Sequence, residues 1–561
     1  MIILKKIIGE NVIHLSYICK LIMNYNKNHM NITLSLCRLL LGTLLCLSIS
    51  SCNMGGAASS IGKVRVPYYF KAEGYPAHVH LKWNENVGST YEIYRADESG
   101  RFKKYAQVTG SEYMDFSIGK SDKSREYTYR ICPSGLPVDK ASDFEVKVEV
   151  PAASDSALLD MVQKYTLNYF TDFAHPQTGL ARERSNDING DIVTTGGTGF
   201  GLMSMIAGVE RNFIQKDKAV NIIDKTVTFL EKCVKFHGAW AHWYDGDSGK
   251  TFSFSKYDDG GDIVETAFLV EGLLCVRQWL SDSDDIKEKA IAERCDKLWR
   301  GVEWDWYTRG TDSLYWHWSK NHDWKMNHRI KGFDETFIAY VLGVSSPTHP
   351  FSPDVYYACY PNSTYYYNGK EYCGIKLDLG MEYGGPLFFT HYSFIGLDPR
   401  ELDVHGVNLY ERNKAHSLIH YKYAIENPKG HEGFGPDLWG FTSSDDPLVG
   451  YTSHHPNTDS ENGTVSPTAA VSSIVYTPEE SLAVIRHLYY DLGEKVFGKY
   501  GFYDSYNPSM VDGQEVVKSF LAIDQGPQIA MIENYRSGLL WNIFMTSPEI
   551  QTGLKKLGFT K

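Results

Sequence analysis

The stretch that decides the fold is Tyr257–Leu274, YDDGGDIVETAFLVEGLL. Asp258, Asp259, Asp262 and Glu265 fall within eight positions, and the residues after them are apolar on nearly every side, with Glu271 the one later charge. A helix that is apolar all round is buried all round. Carboxylates at the mouth of such a helix either cap it or face a cavity into which its end opens. Asp262 with Glu265 three residues later reads as a capping pair. Asp258, Asp262 and Glu265 also have the i, i+4, i+7 spacing that lines one face of a helix continued upstream. Capping accounts for one pair and leaves the other acids unexplained.

Working outward, the helical period starts at Ser154, where SDSALLDMVQKYTLNYFTDFAH opens on a Ser/Asp cap. Further helices are expected at Gly199–Asn212, Val220–Phe236, Asp262–Leu280, Asp284–Trp299, Asp334–Val344, Pro478–Leu492 and Gln528–Met545. Long loops rich in Gly, Pro, Trp and His separate them. This succession predicts a mainly α protein, a double-layered α/α toroid whose loops build one functional face. TGGTGFG, residues 195–201, lacks the preceding strand that a phosphate cradle needs and reads as a tight turn entering a helix.

Upstream the pattern is different. Residues 64–150 alternate in short strands, among them AHVHLKW, TYEIYRA and REYTYRICP. Trp83 and the YTYRI segment with Tyr127 resemble a small all-β fibronectin type III sandwich, a spacer or docking face with no cluster of catalytic groups. Residues 1–52 read as an over-called start, with Met30 the better one, followed by a signal peptide. Its apolar run ends in LSISSC, which resembles a bacterial lipobox with Cys52 as the lipid-bearing residue. Residues 53–63 form a small-residue tether. The expectation is an exported lipoprotein on the periplasmic side of a membrane, held only by its lipid anchor, and a monomer.

Composition narrows the function. A net charge of −12 leaves no basic excess to meet phosphates, which argues against a nucleic-acid partner. The 38 tyrosines and 12 tryptophans suit stacking on sugar rings but equally suit large helical cores. Six cysteines follow Cys52 and show no metal-ligand spacing; Cys359 and Cys373 are placed to pair across a loop, which the sequence leaves open.

The loop motifs carry a family resemblance. TGGTGFGLMSMIAG, GGDIVETAFLVEGLL, WHWSKNHDWKMNHRIKGFDETFIAYVLG, EYGGPLFFTHYSFIGLDPR, TVSPTAAVSSIVYTPEESL and AIDQGPQIAMIENYRSGLLWNIF, in that order from residue 152 to the C-terminus, resemble the glycoamylase-like domain and, within it, glycoside hydrolase family 144. The resemblance implies an (α/α)6 barrel over residues 152–561 that hydrolyses β-1,2-glucan or its oligosaccharides with inversion and without cofactor or metal. Inversion needs a carboxylic acid to protonate the leaving oxygen and a carboxylate to activate water from the other side. Glu335, in GFDETF, is read from the residues either as an acid favoured by a helix N-terminus or as a catalytic group; the resemblance implies the general acid. Asp524, in LAIDQG, is either an N-cap or a base; the resemblance implies the base or a residue steering water, since related β-1,2-glucanases activate water through a substrate hydroxyl.

Asp258, Asp262 and Glu265 are then expected to bind sugar hydroxyls and bias the charge of the acid, with a calcium site as the less favoured reading. Arg182, Trp240, His242, Trp318, Tyr383, Trp439 and Tyr535 are candidate sugar-binding walls, together with Trp243 and Trp316. Two other function classes compete: a polysaccharide lyase or other glucan hydrolase on the same toroid, and a non-catalytic glycan-binding lipoprotein.

Overall fold

The computed structural model describes residues 69–84, 89–135, 144–186 and 190–559. The expected leader, Cys52 and the tether lie outside them. The β region runs β1 (Phe70–Tyr75), β2 (His78–Trp83), β3 (Thr90–Ala96), β4 (Phe102–Thr109), β5 (Glu112–Asp115), β6 (Arg125–Pro133) and β7 (Glu145–Val150). Two antiparallel sheets result, ordered β1-β2-β5 and β4-β3-β6-β7. Alternate residues from both meet in one buried cluster, with Val79, Leu81 and Trp83 against Tyr91, Ile93, Tyr129, Ile131 and Val150. The tyrosine buried with its hydroxyl paired is Tyr129, which donates to Asp115 at 2.7 Å. Tyr127 is only partly buried at the cluster's edge, with the guanidinium groups of Arg95 and Arg125 over its ring.

The β region is seated on the helices by aromatic packing. His78 is fully buried, with its ring nitrogens 2.7 Å from the hydroxyls of Tyr489 and Tyr165. Tyr75 and Phe116 pack on the same group, edge-on to Tyr165 and Tyr489 respectively.

The helices are α1 (Asp155–Thr171), α2 (Thr195–Glu210), α3 (Lys216–Lys232), α4 (Ile263–Leu280), α5 (Ile286–Arg300), α6 (Phe337–Ser345), α7 (Pro353–Cys359), α8 (Phe388–His391), α9 (Leu409–Glu426), α10 (Pro467–Ser472), α11 (Pro478–Arg486), α12 (Ala522–Ser537), α13 (Leu539–Met545) and α14 (Pro548–Leu557). From α2 onward they alternate in kind. The even-numbered helices through α12 are buried on most sides, except the four-residue α8, which buries Thr390 and His391. The odd-numbered ones through α11 bury one face. The buried helices pack side by side, α2 on α4, α4 on α6, α10 on α12 and α12 back on α2.

Glycine makes the closest of these contacts possible. A Cβ on Gly199 would overlap the Phe268 carbonyl, and one on Gly272 would overlap the Gly199 carbonyl. The expected turn at TGGTGFG is therefore corrected: Thr195 already begins α2, and its glycines let two helix backbones touch. Glu271, the one charge deep in α4, is fully buried and accepts from the amides of Gly396 at 2.8 Å and Leu397 at 3.2 Å. Burial pushes its pKa up to about 8, against the pull of those amides, so it stays protonated at neutral pH. Cys359 and Cys373 are free thiols, as are Cys233, Cys275 and Cys295. No described helix is long and apolar enough to cross a membrane.

Candidate active site

The N-terminal ends of α2, α4, α6, α8 and α12 converge on one cavity of about 340 Å³. Thr194 caps α2, Glu265 lies in the first turn of α4, Glu335 stands two residues before α6, Phe388 opens α8 and Ile523 lies in the first turn of α12; all five line the cavity. Helix N-termini present unpaired amides and the positive end of the helix dipole. That environment answers why acids gather at the mouth of α4.

Asp262 combines the two roles that the sequence sets against each other. Its Oδ1 caps α4, accepting from the amides of Val264 and Glu265 at 2.9 Å each. Its Oδ2 accepts from the Trp316 indole at 3.0 Å and pairs with His242 Nδ1 at 3.2 Å. Glu265 does not close a capping box; its Oε2 accepts from the Gly196 amide of α2 at 2.8 Å, and its Oε1 lies 3.7 Å from His242 Nε2. Helix α4 begins at Ile263, so the one-face spacing does not apply to Asp258. His242 gathers the acids instead, with Asp258 Oδ2 4.0 Å from its Nδ1.

Charge follows from this geometry. Burial works against a charged His242, but Glu265, Asp262 and Asp258 outweigh it and raise the pKa to about 9. The imidazolium, with the cap amides and Trp316, holds Asp262 below the usual carboxylate range despite burial. Burial raises Glu265, and burial together with the neighbouring Asp262 raises Asp258 to about 7.

Glu335 is half-buried on the cavity wall, and its Oε2 has no hydrogen-bond partner in the protein. Burial first, then Asp334, Glu265 and Asp262, push its pKa well above the ordinary value. The carboxyl is thereby biased toward its protonated form, in a side chain that lines the cavity. Asp524, next to the lining Ile523, is buried and accepts from the Tyr392 hydroxyl at 3.2 Å. Burial raises its pKa to about 7, while hydrogen bonds from Tyr392 and Asp504 pull the other way. Asp504 is itself buried and held well above the usual range by burial and by the neighbouring Asp524 and Asp445. Its Oδ2 is fixed by the Asp445 amide at 2.6 Å, and Asp445 in turn accepts from Arg184 Nη1 at 2.7 Å.

His242, Asp258 and Asp262 place ligand atoms within 4.8 Å of one another, the spacing of a metal cluster. The Asp262 oxygens are already taken by the α4 amides and the Trp316 indole.

An aromatic-walled cavity with two carboxyls of raised pKa suits acid–base chemistry. Residues 327–548 match the Glycoamylase family model. The chain is 37% identical over 525 residues to an exo β-1,2-glucooligosaccharide sophorohydrolase acting at the non-reducing end, from Parabacteroides distasonis, covering 89% of this chain and 71% of that protein. The chain belongs to the glycoamylase-like family. Among solved structures, an endo-β-1,2-glucanase from Chitinophaga pinensis, in complex with sophorotriose and glucose, is 44% identical with a TM-score of 0.71, over 73% of this chain and 99% of that one. A β-1,2-glucanase from Parabacteroides distasonis is 36% identical with a TM-score of 0.79, over 90% of this chain and 74% of that one.

In this member of the family Glu335, Glu265 and His242 line the cavity, joined by Trp243 and Trp316; Asp262, Asp258 and Asp524 stand directly behind that lining. The other expected walls lie elsewhere. Trp240 and Trp439 are fully buried core residues whose indoles donate to the carbonyls of Leu230 and Glu480. Arg182 pairs with Asp191 outside the cavity, and Trp318 packs edge-on to His237 and Trp306. Tyr383 lines a separate hollow with Tyr365 and His455, and Tyr535 is exposed toward the far end of α12. Glu183, Arg184, Tyr392, Tyr451 and Asp504 were not legible as site residues. Only the Glu183–Arg184 pair, two positions beyond the chosen Arg182, stood near a candidate.

Proposed function

We propose that the protein is an inverting hydrolase of β-1,2-linked glucan, with Glu335 as general acid and Asp524 as base. The observation that carries this is Glu335 itself, a carboxyl biased toward its protonated form with one oxygen unpartnered at a cavity wall. Its proton passes to the glycosidic oxygen as the bond to the anomeric carbon breaks. Asp524 takes the proton of the attacking water, directly or through a substrate hydroxyl. Asp504 stays neutral and donates, which stabilises the Asp524 carboxylate. His242 keeps Glu265 in place at the cavity wall to accept from sugar hydroxyls, while balancing the charge of Glu265 and of the buried Asp262 behind it.

The β-1,2-linkage rests on the relatives named above. The alternation and side-by-side packing of buried and half-buried helices support an (α/α)6 barrel, and the two sheets closed over Trp83 support a separate fibronectin type III-like domain over residues 64–150. LSISSC supports a lipoprotein anchored through Cys52 on the periplasmic side, active as a monomer. A lyase would need free cations for a uronate, yet Arg184, the arginine at the cavity, is tied to Glu183 and Asp445.

The test is turnover of linear β-1,2-glucan followed by proton NMR in the first minutes. Release of the α-anomer is expected; initial β-anomer overturns inversion, and no turnover of this glucan overturns the substrate.

A further inference from the structure

A second group of chemistry-bearing residues lies outside the cavity. His175 follows α1, Asp191 precedes β8 (Ile192–Thr194), and Asp247 follows β9 (Trp243–Asp245), the strand paired with β8. The His175 imidazole is 1% exposed, and its Nε2 has no hydrogen-bond partner. That nitrogen points between two carboxylates, 3.4 Å from Asp247 Oδ1 and 3.9 Å from Asp191 Oδ1. We propose that His175, Asp191 and Asp247 bind a divalent metal ion of the zinc class, which clips the paired strands that carry Thr194 and Trp243 to the catalytic cavity.

The geometry suits the ion. Ligand atoms about 2.0–2.1 Å from a tetrahedral zinc stand about 3.3–3.4 Å apart. Here the three atoms all lie within 4.8 Å of one another before any ion draws them in. The histidine is prepared for ligation from its other side. Nδ1 lies 3.2 Å from Thr178 Oγ1; with the proton assigned to Nδ1, that hydroxyl accepts it and Nε2 keeps its lone pair.

The backbone around it is built for close approach. The Gly246 amide donates to the Asp191 carbonyl at 2.8 Å, and a Cβ at 246 would come within 2.8 Å of the His175 ring. The turn is closed by the Gly249 amide on the Asp245 carbonyl at 2.9 Å and by the Ser248 amide on Asp245 Oδ1 at 2.7 Å. Arg182 Nη1 occupies one side of Asp191 Oδ1 at 3.2 Å and orients it; Asp245 adds negative charge that offsets this guanidinium. Both ligand carboxylates are partly exposed, at 46% and 64%, so water completes the coordination. A nitrogen donor favours zinc over calcium or magnesium.

The test uses the full chain, dialysed against EDTA and then freed of it. Zinc chloride titrated by calorimetry should bind at one equivalent per chain and raise Tm by several degrees. Asp247→Asn, a change at an exposed side chain, should weaken binding tenfold or more and abolish the rise, as should His175→Gln. Asp258→Asn, at the other histidine–carboxylate cluster, should leave the stoichiometry unchanged. Absence of zinc binding by the wild type, or a zinc equivalent lost in Asp258→Asn and kept in Asp247→Asn, overturns the assignment.

Discussion

At the scale of single residues the site is a set of proton positions. Glu335→Gln keeps shape but cannot donate, so turnover of natural glucan should fall on the order of a hundredfold or more. A folded Glu335→Gln protein with wild-type turnover removes Glu335 from the acid role. Asp504 sets where Asp524 titrates. The base works ionised, so kcat/KM should rise with pH through about 7, the pKa of Asp524. Asp504→Ala takes away a donor to the carboxylate, which disfavours the charged form and should move this acid limb to higher pH. Asp504→Asn keeps a neutral donor and should leave the limb near its wild-type position. A pH–rate profile of the two variants decides it, and identical limbs in wild type and Asp504→Ala would falsify the coupling.

At the scale of elements, helix contact explains several differences from the sequence reading. Helix α12 was expected from Gln528; it runs from Ala522 through Pro527 and ends at Gly538, whose φ is 69°. Its buried first turn, which holds Asp524, outweighs the lost amide of Pro527. Helix α9 was not expected, since LYERNKAHSLIHYKYAIE scatters its polar residues; it buries Arg412, which donates to the Leu379 carbonyl, His416 and His420, which pair with the Gly385 carbonyl, and Asn413, which donates to the Tyr476 hydroxyl. The α2–α4 contact makes its own prediction. Gly272→Ala inserts a methyl where the Gly199 carbonyl lies, and should destabilise by about 1–3 kcal/mol. Urea unfolding measures this, and a wild-type midpoint would mean that the two helices can separate without cost.

At the scale of the whole molecule, the question is what the β region does for the helices. It contributes no lining residue to the cavity. It does cover Tyr165, Tyr489 and Phe497 with Tyr75, His78 and Phe116. A chain starting near Ala152 should therefore keep its bond specificity but melt at a lower temperature, because those aromatics become exposed. Calorimetry and product analysis check the two halves separately; loss of turnover in a folded truncation would show that the β region shapes the site. Removal of metal by EDTA should likewise leave chemistry at moderate temperature intact while lowering Tm, since the proposed ion binds outside the cavity.

What the sequence alone determined is what is local along the chain. Apolar period marks α4 as buried, alternation marks the β region, and acids beside an all-round apolar helix mark where a cavity opens. Glu335, Asp262 and Glu265 were readable for that reason, since each sits next to the helix that positions it. The tertiary structure alone decided which distant groups meet. His242 joins three acids from an earlier loop, Asp504 comes close enough to Asp524 to shift its titration, and Arg184 rather than Arg182 faces the cavity. It also divided the tryptophans, placing Trp243 and Trp316 at the wall and Trp240 and Trp439 in the core. A large aromatic side chain is equally suited to a sugar face and to a helix interior, so only the packing of elements far apart in sequence separates the two.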